Sequence, residues 1–229
     1  MKDIQNLQDD RCISIRKVGV KTISYPVTVL DREKKLQHTV ATVNMYVNLP
    51  HRFKGTHMSR FVEILNRFHG EFNLRKFHLI LQEMKEKLDA EAAHLEIRFP
   101  YFMEHSAHVC GSGAATERYE CQMHGSLQES NDLVMKVDVP ITLPQSMGRW
   151  GYAQVSVRFN EFIWIEDLIS LVQQGIKAGA GLSTSVESLS GQLGDALKAT
   201  PAISWFRVEV ENLADGCSTF ATVESTTTF

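Results

Sequence analysis

"HTVATVNMYVNL", residues 38–49, places Ala41, Val43, Met45, Val47 and Leu49 on one side of an extended chain and Thr42, Asn44, Tyr46 and Asn48 on the other. Alternation at period two reads as a half-buried β-strand. Immediately upstream, Tyr25–Asp31 reads as its partner, with the charged "DREKK" of residues 31–35 as the hairpin loop. Downstream the period changes. Met58, Phe61, Val62, Leu65 and Phe68 recur at helical spacing, and a second helix opened by Asn73 carries Leu74, Phe77, Leu81, Met84 and Leu88. The strand "AHLEIRFPYF" follows and ends near Pro100.

The second half repeats the order. "YECQMHGSLQESNDLVMKVDVPITL" reads as a hairpin, "GYAQVSVRF" as a strand, "WIEDLISLVQQ" as a helix, "SVESLSGQLGDALKA" as a second helix capped by Ser185, and "SWFRVEVENL" as a closing strand. Two copies of an α+β unit, over about residues 20–103 and 117–213, therefore make one domain over residues 1–229 with a short C-terminal tail. Antiparallel sheets with helices on one face are expected. Their open edges call for cover or pairing, and closing them into a barrel with neighbouring subunits is one solution.

Composition narrows the function classes. With 43% hydrophobic and 22% charged residues, the 229-residue chain reads as a soluble globular protein with enough apolar content for a sizeable core. A net charge of -3 and no long basic run argue against nucleic acid as a partner. The polar, acidic start "MKDIQNLQDDRC" is unlike a secretory signal, and no apolar stretch is long enough to span a membrane, so a cytoplasmic location is expected. Cys12, Cys110, Cys121 and Cys217 are scattered and read as free thiols. Neither a P-loop nor a dinucleotide fingerprint occurs, and "GIKAGAGLSTS" reads as a linker.

Two stretches carry candidate chemistry. "KGTHMSRF", residues 54–61, crowds Lys54, His57, Ser59 and Arg60 into a strand-to-helix junction. Free N–H groups and the positive end of a helix dipole favour an anion there, and cations would complete such a site, although solvated cations at a helix start are common. "HSAHVC" gathers His105, His108 and Cys110, all competent zinc ligands at a spacing that matches no established metal motif. Glu166 and Asp167 are adjacent on a helix, diverge by about 100°, and read as first-turn residues.

The segments "YPVTVLDREKKLQHTVATVNMYVNLPHRFKGTHMSRFVEIL", "FPYFMEHSA", "VDVPIT", "FIWIEDLI" and "FRVEVEN" span most of the chain and resemble the GTP cyclohydrolases of type IB, members of the tunnelling-fold superfamily. The resemblance implies tandem ββααββ modules, an oligomeric barrel built as a homodimer or homotetramer, and a purine or pterin site at subunit interfaces. It places Lys54, His57, Ser59 and Arg60 near the substrate, and Glu187 of "SVESL" as the carboxylate that grips the heterocycle. A carboxylate offers two acceptor oxygens, which suits the paired N1–H and NH₂ donors of guanine or a pterin. A first-turn glutamate stabilised by the helix dipole is the plain alternative.

Departures from the family pattern shape the functional expectation. Where the family has a cysteine loop and a histidine motif that bind its metal, "VDVPIT" runs into "LPQSMGRWGY". The span carrying a metal-binding glutamate is shortened to "QQGIKAGAGLSTS", and "LADGCSTFATVES" has Cys217 near the place of the last histidine. Opening a guanine imidazole ring needs a nucleophile that a divalent metal supplies by lowering the pKa of water from about 16 to about 7. The expectation is a chain that has lost the zinc or manganese, holds no cofactor, and binds a purine or pterin in a repurposed reaction. The alternatives are a non-catalytic binding protein of pterin or purine metabolism, and an active GTP cyclohydrolase of folate biosynthesis.

Overall fold

The computed structural model describes residues 15–33, 35–49, 57–68, 74–105, 115–141, 150–179, 185–214 and 216–225. In chain order the elements are β1 (Ile15–Asp31), β2 (Lys35–Leu49), α1 (Met58–Arg67), α2 (Leu74–Lys87), β3 (Ala92–His105), β4 (Ala115–Leu127), β5 (Asn131–Ile141), β6 (Trp150–Phe159), α3 (Ile165–Gly179), α4 (Val186–Lys198), β7 (Ile203–Ala214) and β8 (Cys217–Glu224). The strands lie in sheet order β1 to β8. The chain divides into two compact units, Met1–Phe99 with Gln122–Leu133, and Pro100–Cys121 with Val134–Phe229.

In the first unit, β1 and β2 form an antiparallel hairpin paired from Asp31↔Lys35 to Ile15↔Leu49, with a first register slip between Ile15 and Val18. Its turn is held by the buried Asp31. That carboxylate accepts the Glu33 N–H at 3.0 Å and Gln37 Nε2 at 3.3 Å. The register slips between Val20 and Ile23. There Thr22 takes a φ of 57° and donates its N–H to Asn44 Oδ1 at 2.9 Å, so a side chain takes up the amide the irregularity frees. Val43, Met45 and Val47 are fully buried, as their alternation requires, and so are Phe61 and Ile64 of α1 and Ile80 and Met84 of α2. A Cβ added at Gly125 of β4 would lie 2.2 Å from Phe77 Cε1, so α2 rests directly on the strand where only glycine fits.

The second unit repeats the layering. β5, β6, β7 and β8 run antiparallel in succession. Val137, Val139, Val155, Val157, Val208 and Val210 are buried from the strands, and Leu168, Ile169, Val172, Leu189, Leu193 and Leu197 from α3 and α4. Gly194 lets α4 settle on the sheet, since a Cβ there would stand 3.1 Å from Val223 Cγ1 and 3.5 Å from Phe206 Cε2.

Two features differ from the sequence reading. Residues beyond about 213 read as a tail, yet Cys217–Glu224 forms β8, joined to β7 by a tight turn in which Gly216 has a φ of +86°. Its period-two pattern is built from small residues, Ala221 and Val223 inward against Thr222 and Glu224 outward, and so carries little hydropathy contrast. Tyr46 belongs by alternation to the polar face of β2 but is only 7% exposed. Lys17 sits over its ring at 3.5 Å, and His94 stacks on it with centroids 4.8 Å apart.

Candidate functional site

His57 is the N-cap of α1, with extended backbone (φ -75°, ψ 114°) and no side-chain cap hydrogen bond. Its carbonyl accepts the Arg60 N–H at 3.1 Å. The first turn holds no acidic residue, so the positive end of the helix dipole is not offset there. Ser59 is exposed and Arg60 half-buried. Arg60 Nη1 reaches Lys87 O at 3.4 Å, meeting a carbonyl at the C-terminal end of α2 that has no partner within its own helix. His57, Ser59 and Arg60 thus share one helix turn in the first unit; Lys54 lies outside the described residues.

Glu187 is in the first turn of α4, in the second unit, and is exposed. Ser185 caps this helix (φ -86°, ψ 163°), its Oγ accepting the Ser188 N–H at 3.2 Å. The Ser185 hydroxyl, and after it the backbone N–H of Glu187, hold the Glu187 carboxyl below its ordinary pKa of 4.5. Ser190 Oγ donates to Glu187 O at 2.9 Å and so fixes the backbone from the other side. The result is an ionised carboxylate presented outward on a rigid turn, a group suited to paired N–H donors.

Among the described residues no group of three or more His, Cys, Asp or Glu side chains is placed to hold a metal ion. The described residues alone therefore do not fit the family's divalent ion. The side chains of His105, His108 and Cys110 lie outside what the structure describes. Cys121 is buried, and that burial, with Asp138, Glu120 and Glu166 nearby, pushes its thiol pKa well above the usual range, which leaves it a poor ligand. Glu166, read from sequence only as a first-turn residue, accepts a hydrogen bond from Tyr101 OH at 2.7 Å.

A polar cluster that sequence reading missed lies on the first unit's sheet. Glu96 accepts from Asn44 Nδ2 and from Tyr46 OH, each at 2.9 Å, and His124 Nε2 stands 3.9 Å away. Asn44↔Glu96 and Tyr46↔His94 are direct cross-strand pairs. The visible signal is polar alternation on both strands; only the register joins them. Asn44, Tyr46, His124 and Lys17 together outweigh burial and depress the Glu96 pKa, while burial followed by His124 and Lys17 depresses that of His94.

Comparison with known proteins places this geometry. Uricase from Arthrobacter globiformis superposes with a TM-score of 0.61 at 12% identity, covering 93% of each chain. A urate oxidase from Bacillus sp. TB-90 gives 0.66 at 8% identity, covering 93% of this chain and 100% of the other. These likenesses show the fold, an α+β tunnelling fold. The "GTP cyclohydrolase FolE2" of Geobacter metallireducens is 44% identical over 93% of this chain and 91% of its own length. That of Syntrophus aciditrophicus is 42% identical over 93% and 94%, and that of Citrifermentans bemidjiense 50% identical over 76% and 68%. The first alignment runs to 242 positions against a chain of 229, so that relative carries residues opposite gaps in this one.

These relatives overturn two expectations. A repurposed reaction, or a non-catalytic role, does not stand against relatives named as cyclohydrolases over nine-tenths of the chain. Nor does the expectation that the metal has been discarded and no cofactor is held. That expectation rested on segments that lack the family's cysteine, histidines and glutamate, and relatives named as GTP cyclohydrolases over nine-tenths of the chain overturn it. Residues 1–147 match the family described as "Type I GTP cyclohydrolase folE2", and the chain belongs to that family.

Proposed function

We propose that this chain is an active GTP cyclohydrolase, opening the guanine imidazole ring of GTP by hydrolysis to give formate and dihydroneopterin triphosphate. The observation that carries the reading is 44% identity over 93% of the chain to a protein named for that activity. Glu187, ionised and exposed at the start of α4, takes the N1–H and NH₂ of guanine as a bidentate acceptor. His57, Ser59 and Arg60 at the start of α1, with Lys54, receive the triphosphate, a role supported by a first turn without acidic residues. When bound, a divalent ion would supply hydroxide at neutral pH. His105, His108 and Cys110 are the candidates to hold it. The two ββααββ halves, about residues 20–103 and 117–213, form one duplicated domain, and a homo-oligomer closes the open sheet edges.

The test is release of formate and of dihydroneopterin triphosphate from GTP by the purified chain, with manganese or zinc added. Product in at least one metal is the expected result; no product in either overturns the reading. His108→Ala with Cys110→Ala should remove the bound ion, as measured by elemental analysis. A metal content equal to that of the parent would send the search for ligands elsewhere.

A further inference from the structure

Twice on its sheets the chain joins an aromatic ring, a carboxylate and a cation of its own. In the first unit Lys17 Nζ sits 3.5 Å over the Tyr46 ring, whose hydroxyl donates to Glu96 at 2.9 Å. In the second unit the Arg158 guanidinium lies 4.4 Å over the Trp205 ring, whose Nε1 donates to Glu224 at 3.1 Å. A third set, also in the second unit, has rings and a carboxylate but no cation. Tyr152 of β6, Glu211 of β7 and Phe220 of β8 are direct cross-strand partners in one row. Trp150 packs edge-on against Tyr152, with 5.7 Å between ring centroids. The alternate residues Ala153 and Val210 are buried, and α4 rests on Phe206 and Val223 of that other face, so the row lies on the side away from α4. Trp150 and Phe220 are exposed and Glu211 is half-buried. Among the described residues the Glu211 carboxylate has no hydrogen-bond or ion-pair partner. Its neighbours on the same face do: Glu209 accepts from Arg207 at 3.2 Å and from Thr222 at 3.3 Å, and Asp138 stands 3.8 Å from Lys136 Nζ.

We infer that this row is a binding site for a guanidinium group, paired with the Glu211 carboxylate and stacked among Trp150, Tyr152 and Phe220. Ring faces and a carboxylate both attract positive charge, which is what the chain supplies at its two other sets and leaves out here. The spacing suits one such group. Adjacent strands lie about 4.8 Å apart, so Tyr152 and Phe220 stand about 10 Å apart with Glu211 midway, room for a planar cation with a ring on either side. A guanidinium is preferred to an ammonium because its planar fork takes both carboxylate oxygens, stacks on aromatic faces and gives up water more readily. A free alkylguanidine and an arginine side chain of another protein carry the same chemistry.

The experiment follows the indole N–H signals of the three tryptophans by NMR, assigned with Trp150→Phe and Trp205→Phe. Ethylguanidinium and N-acetylarginine amide are titrated separately, with N-acetylcitrulline amide as the uncharged isostere. The Trp150 signal should shift saturably with a guanidinium probe at a dissociation constant of about 1–10 mM, the scale of one exposed ion pair with ring contacts. The Trp205 signal, already covered by Arg158, should not move. Tighter binding of the arginine amide would identify a protein-borne arginine as the ligand, and equal or weaker binding a free alkylguanidine. Glu211→Gln should weaken binding about fivefold and Phe220→Ala about threefold, with the Trp205 signal unchanged as evidence that the sheet is intact. An equal shift with the citrulline probe, or parent-like affinity in both variants, would overturn the inference. So would the absence of a saturable shift with either guanidinium probe, which would leave the row as a surface that a second copy of the chain covers.

Discussion

Glu96 ties two strands through its carboxylate, and its position makes a pH prediction. Folding lowers its pKa below 4.5, so its contribution to stability is complete above that value and is lost as pH falls through the lower, folded-state pKa. His94 acts in the same direction from a higher start. Its pKa is depressed below 6.5, so folding favours the neutral ring and stability declines as pH falls below 6.5. Unfolding midpoints in denaturant should therefore drop steadily on acidification. Glu96→Gln should flatten the part of that profile below about pH 4.5, and an unchanged profile would remove Glu96 as a contributor. The proposed role of Glu187 carries its own prediction: Gln substitution would leave one acceptor oxygen and set a donor amide against the donors of guanine, and KM for GTP should rise at least about tenfold. The thiols differ for a related reason, since Cys121 is buried with its pKa raised whereas Cys217 is exposed. Peptide mapping after brief alkylation of the native protein should find Cys217 modified and Cys121 modified only after unfolding.

Between elements, strands approach most closely at glycine. A Cβ at Gly151 of β6 would fall 2.0 Å from Glu211 O of β7, a backbone atom that cannot turn aside. Gly151→Ala should cost about 1–3 kcal/mol by forcing the two strands apart, measured as a lowered denaturation midpoint with an unchanged m-value. The same crowding explains why Gly19 stands opposite Tyr46, where an added Cβ would meet Met45 O at 1.9 Å. The helices were legible because each sets one apolar stripe against polar faces. The Ser185 cap was legible as well, since serine followed by a buried-spaced run is a local signal. β8 was not, because its inward side chains are small and its one large apolar residue, Phe220, is exposed, so its alternation shows no apolar face although Thr219, Phe220, Thr222 and Val223 favour extended backbone.

Across the full chain, β1 and β8 stand at the two ends of the sheet order, and each has one described strand partner. Phe220 on β8 is 67% exposed. Long edges with large apolar side chains are unstable against association. The chain of 25.9 kDa should therefore run as a multiple of that mass in light scattering, and Phe220→Lys should shift it toward smaller species. An unaltered monomer for both proteins would remove the proposed oligomer. Among the described residues no helix is long and apolar enough to cross a membrane.

Reading residues in order was enough for the succession of strands and helices up to β7, the Ser185 cap and the family, because period, capping chemistry and local motifs depend on neighbours a few residues apart. Three-dimensional packing was needed to bury Tyr46 beneath Lys17 and beside His94, to bring Asn44 to Glu96, and to rest α2 on Gly125. Each of these depends on strand register or on a helix settling over a strand, contacts between residues dozens of positions apart that no local pattern encodes.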